Sequence, residues 1–154
     1  MSESKRQNEE LSLSDTVAHL LEECRMVLPG MQALFGFQLI AVFNSTFSEK
    51  LSPTEQKIHL IAIGLVVIAI ALVMTPAAHH RWTGARRVTE DFIRVATKLL
   101  LASMFPLMIA LSLDFYLIAR LVLHREILSA LLSLLLLVIF SVLWFGLPWW
   151  RTKR

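Results

Sequence analysis

The sequence contains one cysteine and lacks the short motifs that mark common hydrolytic and phosphate-binding sites. A single thiol, Cys24, excludes a disulfide within the chain and a metal site built from cysteines. The patterns G-x-S-x-G, H-E-x-x-H and C-x-x-C are missing, as is a glycine-rich phosphate loop. The links between the apolar runs are too short to hold a catalytic domain. The sequence therefore predicts that this protein is not an enzyme and needs no cofactor.

A cleavable signal peptide is also not expected. Residues 1–26 are polar and charged, with no apolar region followed by a small-residue cleavage site, so the first apolar run should be retained. Charge is sparse, at 18% of residues, whereas 56% are hydrophobic and the mean hydropathy is +0.63. Soluble domains contain about 45–50% apolar residues. The excess indicates that lipid is the solvent.

Four apolar runs are long enough to cross a bilayer, which takes roughly 20 residues at 1.5 Å per residue. They cover 27–47, 58–78, 99–119 and 127–147. Membrane-spanning strands fit poorly, because they are about ten residues long and alternate in polarity. The predicted fold class is an all-α membrane protein with four transmembrane helices.

The segment before the first span has two predicted parts. Residues 1–11 are polar and charged, and we expect a disordered cytoplasmic tail there. Ser12 and Asp15 form an S-x-x-D capping pattern, which predicts an amphipathic interfacial helix over 12–28. A bend at Pro29 and Gly30 would then turn this in-plane helix into the first span.

Positive charge predicts the orientation. The N-terminal segment, the link between spans two and three and the basic tail 148–154 hold eleven lysines and arginines, and the other two links hold four. This asymmetry places both termini in the cytoplasm. We expect interface anchoring and attraction to anionic lipids from the cytoplasmic cations and indoles His80, Arg81, Trp82, Arg86, Arg87, Trp149 and Trp150.

Two other uses of these charges are disfavoured. His79 and His80 are adjacent, so on a helix they point about 100° apart, and no cysteine or carboxylate lies nearby at ligand spacing. We therefore expect no metal site. Nucleic-acid binding is not expected either, because the sequence has no soluble basic domain.

Span one carries amides that are unusual in hydrocarbon, Gln32, Gln38 and Asn44. Such groups should face protein or a wet cavity. In one interpretation the amides bond to neighbouring helices, and the small residues Gly30, Ala33 and Gly36 permit close helix packing. In the other, span one lines a polar path.

Asp114 is the carboxylate inside span three. Arg120 lies six residues further on, about 9 Å along a regular helix and on nearly the opposite face, which makes it a poor partner. Residues of similar predicted depth are His59 and Asn44, with Gln38 one or two turns deeper. We predict a polar transmembrane cluster of Asp114, His59, Asn44, Gln38 and Gln32. It is either a hydrogen-bonded staple between helices or a site for an ion or a proton.

The entry into span one and the exit from span two resemble an uncharacterised family of small bacterial membrane proteins, a domain of unknown function. The resemblance rests on two patterns, "LL-E-R-…-G-Q-LFGF-L…F" and "P-A-HR", and covers most of residues 17–125. Here the matching positions are Leu20, Leu21, Glu23, Arg25, Gly30, Gln32, Leu34, Phe35, Gly36, Phe37, Leu39, Phe43, Pro76, Ala78, His80 and Arg81. Pro29 departs from the pattern, because relatives tend to have a polar residue there.

The resemblance implies a four-helix protein of the bacterial inner membrane. Some members carry a sodium:proton antiporter label, but antiporters of that kind use many more helices, some of them broken within the membrane. Four helices enclose little space, so a path for ions would need several subunits around an axis. The sequence thus favours a homo-oligomeric ion channel or transporter with span one lining the path. The alternative is a non-catalytic scaffold or accessory subunit that binds a partner or anionic lipid.

Overall fold

The computed structural model describes residues 2–83 and 90–146, apart from the side chains of residues 2–12, 14, 80 and 83. Within these ranges the chain is helical and contains no strand. The helices are α1 (Ser2–Phe43), the short α2 (Ser45–Lys50), α3 (Pro53–Thr83), α4 (Glu90–Leu123) and α5 (Glu126–Ser141). A π-helical segment, Val142–Gly146, continues α5.

Four of these helices are long and apolar enough to cross a membrane, which confirms the predicted fold class. The candidate spans are Asp15–Phe43, Pro53–His79, Glu90–Leu123 and Glu126–Gly146. Three of them are longer than the runs predicted from hydropathy, because polar turns extend the helices beyond the apolar stretch at one or both ends. α3 packs chiefly on α4 and α1, and α5 packs on α4.

The N-terminal segment differs from the prediction. α1 begins at Ser2, so residues 2–11 are helical where we expected a disordered tail, and Ser12 lies inside the helix rather than at its start. The glutamates, lysine, arginine and glutamine of this segment are good helix formers, and extending an existing helix avoids the cost of nucleation. α1 also continues through Pro29 as one helix, not as two.

Within this segment, the buried side chains are apolar and the described polar ones are exposed, and the amphipathic interfacial helix over 12–28 stays a prediction. Val17 and Cys24 are buried, at 3% and 5% exposure, whereas Asp15, His19 and Arg25 are exposed. Beyond Cys24, the buried face continues along α1 at intervals of seven residues. This spacing is typical of helices that pack along a shared seam.

The core of the bundle forms along the buried faces of α3 and α4. On α3, the side chains of Ala62, Val66, Ala69 and Val73 are at most 1% exposed. On α4, the buried positions repeat every seven residues at Ala96, Ser103, Ala110 and Leu117. Small side chains at these positions let the helix axes approach closely, which is how helices associate in lipid.

The predicted packing glycines do not act within the chain. A Cβ added to Gly30 or Gly36 would meet nothing within 4 Å, and Ala33 is exposed. These small residues therefore face outward, and a close approach there would need a second molecule. Packing by this face between copies of the chain stays a prediction.

α3 begins with a capping box that its sequence encodes. The Ser52 backbone N–H donates to Glu55 Oε2 at 2.8 Å, and the Glu55 N–H donates to Ser52 Oγ at 3.3 Å. Pro53 occupies the first helical position, where it has no amide hydrogen to leave unpaired. This arrangement satisfies two backbone donors at the helix start.

Ser52→Ala should lower the free energy of unfolding by about 1 kcal/mol, because the cap loses its side-chain acceptor. Thermal unfolding followed by circular dichroism in detergent measures the change. Ser48→Ala is the control, since the Ser48 hydroxyl contacts only a carbonyl of its own short helix, at 3.3 Å. Equal midpoints for the two variants would contradict the role of the capping box.

Candidate ion-binding site

Three polar side chains meet where the C-terminal part of α1, the first turns of α3 and the last turns of α4 converge. They are Gln38, His59 and Asp114, here called the polar cluster. Gln38 follows Val17, Cys24 and Met31 at the same seven-residue interval, so it continues the buried face of α1. His59 precedes the buried stripe of α3. The buried faces of α1 and α3 are thus apolar along most of their length and polar at one end of the bundle. The short helix α2 lies at the same end.

Hydrogen bonds and an ion pair join the cluster. The Gln38 amide donates from Nε2 to Asp114 Oδ2 at 2.6 Å. His59 Nδ1 lies 3.4 Å from Asp114 Oδ1, and its Nε2 lies 3.0 Å from the Gln38 backbone oxygen. Gln38 and His59 are buried, at 4% and 7% exposure, and Asp114 is partly buried, with 17% of its side chain exposed. Each helix of the three therefore contributes one group to a single network.

The geometry fixes the tautomer of His59. A carbonyl oxygen can only accept, so Nε2 must carry a hydrogen to bond to the Gln38 carbonyl. Nδ1 then faces Asp114 Oδ1 either as a second N–H or as a bare acceptor. Two acceptors opposite each other repel, so one proton on His59 or on Asp114 makes this contact favourable. The Nδ1–Oδ1 contact is therefore favourable when the pair holds one proton.

The polar cluster has unused hydrogen-bonding capacity. Gln38 Oε1 and Asp114 Oδ1 are both buried and accept no hydrogen bond within the described part of the chain. Burying an acceptor without a donor costs about 1–3 kcal/mol. A bound cation or a donor from a ligand would remove this cost. Gln38 and Asp114 are in contact, so these two acceptors lie close together in space. They mark this location as a candidate binding site.

A cavity of about 380 Å³ opens beside the polar cluster. Its walls are mostly apolar, and the Phe47 ring lies 5.3 Å from the His59 ring, centroid to centroid. Other side chains in the wall are Leu34, Phe37, Ala41, Leu51, Leu117, Ile118 and Leu121. The polar cluster therefore forms a hydrogen-bonding floor in a mostly apolar cavity.

The structure brings together three of the five residues predicted for the cluster. Asn44 lines the same cavity but does not bond to Asp114; its Oδ1 accepts from the Thr46 N–H at 3.0 Å and caps α2. Local capping is the common use of asparagine at a helix start, and it removes Asn44 from the network. Gln38, expected one or two turns deeper, bonds to Asp114 directly.

Gln32 does not join the cluster. Its side chain is exposed, whereas Met31 beside it is buried at 3% exposure. Because adjacent helix positions point about 100° apart, only one of the two can face the other helices. Gln32 thus lies on the outer face of α1, available to lipid or to another molecule.

Arg120 has a different acidic partner. Its Nε lies 3.6 Å from Glu55 Oε1, and Glu55 is also the capping-box residue of α3. This agrees with the expectation that Arg120 is a poor partner for Asp114. Neither this pair nor the contact of Phe47 with His59 is predicted by a motif in the sequence. The capping pattern placed Glu55 at the start of α3, but no sequence signal linked it to α4.

Two of the predicted interface anchors, Arg81 and Trp82, lie at the end of the bundle opposite the polar cluster. Arg81 and Trp82 end α3 and are exposed, Trp82 at 94%. The side chain of His80, together with Arg86, Arg87, Trp149 and Trp150, lies outside the described residues, as does the basic tail 148–154. Over 2–83 and 90–146, no three histidine, cysteine or carboxylate side chains cluster as metal ligands.

Comparison with known proteins agrees with the resemblance seen in the sequence. Residues 6–148, nearly the whole chain, match the sequence model described as "Family of unknown function (DUF6328)". No curated protein and no solved structure matches the chain. The polar cluster and its cavity lie entirely within the matched residues. This four-span membrane protein therefore belongs to the DUF6328 family of unknown function.

Proposed function

We propose that this protein is the subunit of a homo-oligomeric ion channel or transporter, and that the polar cluster is its ion- or proton-binding site. The observation that supports this most is the His59–Asp114 pair, which lies within candidate spans, is largely shielded from solvent and lines a cavity. Ionisable residues inside a membrane are costly, and in known proteins they commonly mark ion and proton pathways.

Span one contributes to the proposed path through Gln38, together with α3 and α4. The path therefore begins inside each protomer, rather than on an axis lined by Gln32 and Gln38 together, since these two residues lie on different faces of α1. The hydrogen-bonding partners of Asp114 come from two other helices. A small movement of α3 relative to α4 would change the distance between His59 and Asp114 and so favour release or uptake of a proton.

The proposed oligomer is supported by the surface of the outer helices. Only 11% of the most apolar windows of the first and fourth spans is buried, against 28% and 33% for the second and third. These two helices therefore leave most of their surface for lipid or other copies. The outward-facing small residues of α1, Gly30 and Ala33, are suited to close contact with a second chain.

The proposed location is the bacterial inner membrane with the termini in the cytoplasm. The distribution of lysine and arginine supports this orientation, as does the exposed position of Arg81 and Trp82 at the end of α3. Anionic lipids are the proposed partners of that end. The polar cluster would then lie toward the outer surface.

A scaffold or accessory subunit is the second candidate. The observation that favours it is Gln32, an exposed amide within span one, which needs a hydrogen-bonding partner outside the chain. A partner protein in the membrane would supply one. In that case the polar cluster acts as a staple that fixes the positions of α1, α3 and α4.

Two measurements on the purified chain test the proposed function. Native mass spectrometry from detergent or nanodiscs should show a defined oligomer rather than a monomer. Proteoliposomes with a trapped pH-sensitive dye should then show proton flux when a potassium diffusion potential is imposed, and dyes for Na⁺ and K⁺ extend the assay. A monomer whose proteoliposomes are no leakier than empty liposomes would overturn transport and favour the scaffold.

A further inference from the structure

We propose that the cavity beside the polar cluster binds a protonated amine that carries a hydrophobic body. This inference rests on the proposed function, because it names a substrate class for that same site. The amine's N–H groups would donate to Gln38 Oε1 and Asp114 Oδ1, and its body would lie against the apolar wall. An amphipathic cation of this kind differs from a bare metal cation, which would leave the apolar part of the cavity unfilled.

The hydrogen-bonding groups of the cavity floor favour a ligand that donates hydrogen bonds. The donors of the polar cluster are already in use: Gln38 Nε2 bonds to Asp114, and His59 Nε2 bonds to the Gln38 carbonyl. Two buried acceptors form no hydrogen bond among the described residues: Gln38 Oε1, and Asp114 Oδ1, which lies 3.4 Å from His59 Nδ1 and keeps a lone pair for a further donor. Gln38 is 96% buried, since its exposure is 4%. A ligand that satisfies this floor must therefore donate hydrogen bonds, which an ammonium group does and a carboxylate does not.

The ionisable residues that line the cavity favour a ligand with a positive charge. Among the described residues that line the cavity, the ionisable ones are Asp114 and His59 on the floor and Lys50 at the edge. Asp114 can release the shared proton to solvent when a ligand cation binds, so the net charge of the occupied floor is unchanged. A neutral donor such as an alcohol leaves that proton in place and gains no charge-assisted hydrogen bond. The floor thus selects a cation that also carries N–H groups.

The size and the apolar wall of the cavity favour a ligand with a hydrophobic body. The cavity volume of about 380 Å³ lies within the range of roughly 300–1,000 Å³ that is usual for small-molecule sites. Phe37, Phe47 and Leu117 contribute hydrophobic surface, and aromatic faces also attract cations. An inorganic ion would use none of this surface. An amine with a phenyl or alkyl group would bury it.

Lys50 sets a limit on affinity. Its side chain is exposed, and it forms no ion pair within the described part of the chain. A positive charge at the edge of the cavity repels an incoming cation, and low ionic strength strengthens this effect. Reversing the charge of this exposed residue should improve amine binding without disturbing the core.

The test is equilibrium binding of tritiated 4-phenylbutylamine to the full chain in detergent, at low ionic strength. Unlabelled 4-phenylbutylamine should displace it. The neutral 4-phenylbutanol and the (4-phenylbutyl)trimethylammonium ion, which has no N–H, should compete at least about tenfold less well, since each lacks one part of a charge-assisted hydrogen bond. Equal competition by all three compounds would overturn the proposal, because it would indicate partition into apolar surface.

Matched variants locate the binding. Gln38→Leu and Asp114→Asn should each raise the Kd at least about tenfold. Gln32→Leu should leave it unchanged, because it makes the same change on the exposed face of α1. Lys50→Glu should lower the Kd. Because Lys50 is exposed, this variant keeps the proposal testable if a cluster variant fails to fold. An unchanged or higher Kd for Lys50→Glu would contradict the proposed binding of a cation.

Binding and flux separate this inference from the proposed function. Amine binding that depends on Asp114, in a protein that carries no ion across liposomes, would keep the site and overturn transport. Asp114-dependent ion flux without specific amine binding would keep transport and overturn the amine as ligand.

Discussion

Replacing Asp114 with asparagine should lower the ion flux of reconstituted protein by about 100-fold or more. A positioned group that gives and takes a proton contributes about 10²–10⁴ to a rate, and asparagine cannot do so. Its amide is similar in size to the carboxylate and can still accept from Gln38 Nε2, a bond of 2.6 Å in the native chain. The fold and the oligomer should therefore survive. Proteoliposome flux with a trapped pH-sensitive dye measures the effect.

Two further variants make this result specific. Gln32→Leu should leave flux at the native level, since the Gln32 side chain is exposed outside the cluster. Asp114→Glu keeps a carboxylate and should retain more flux than Asp114→Asn. Native flux in Asp114→Asn with an intact oligomer would mean that the cluster is a structural staple, and the scaffold would become the better account of the protein.

Ala69→Phe should produce the largest loss of stability. Ala69 has no exposed surface and packs in one cluster with Cys24, Met31 and Val73, where α3 meets α1. Inserting a large side chain into a close-packed interior typically costs about 1–3 kcal/mol, and a ring in place of a methyl group lies at the upper end. Unfolding by SDS titration, followed by circular dichroism, measures this loss.

The control for Ala69→Phe is the same change at the neighbouring position, Ile68→Phe. Ile68 is 52% exposed, so a ring there would face lipid or detergent. Its unfolding midpoint should match that of the native chain within about 0.5 kcal/mol, as is usual for surface positions. If both variants unfold alike, the α1–α3 contact would not run through this stripe.

Much of the fold followed from local features of the sequence. Each span was evident from its apolar length, because the requirement of about 20 residues to cross hydrocarbon depends on one segment alone. The start of α3 was equally local, since Ser52 and Glu55 are three residues apart and bond to each other. The polar, charged composition of residues 1–11 predicts disorder, whereas α1 extends to Ser2.

Which glutamine of span one is buried follows from its spacing to other residues of the same helix. Val17, Cys24, Met31 and Gln38 share a seven-residue interval, and all four are buried in the structure. Gln32 falls outside this register. The interval was present in the sequence, and it could have separated the buried glutamine from the exposed one.

The sequence by itself determined that this chain has four spanning helices and one carboxylate inside the third of them, because hydropathy and capping act over short distances. Only the tertiary structure decided which polar groups meet. Gln38 and Asp114 are 76 positions apart, and His59 reaches both from a third helix. Their contact depends on the rotation and depth of three helices at once. Those settings come from packing along the seams, where Ala62, Val66 and Ala69 bring the helices together.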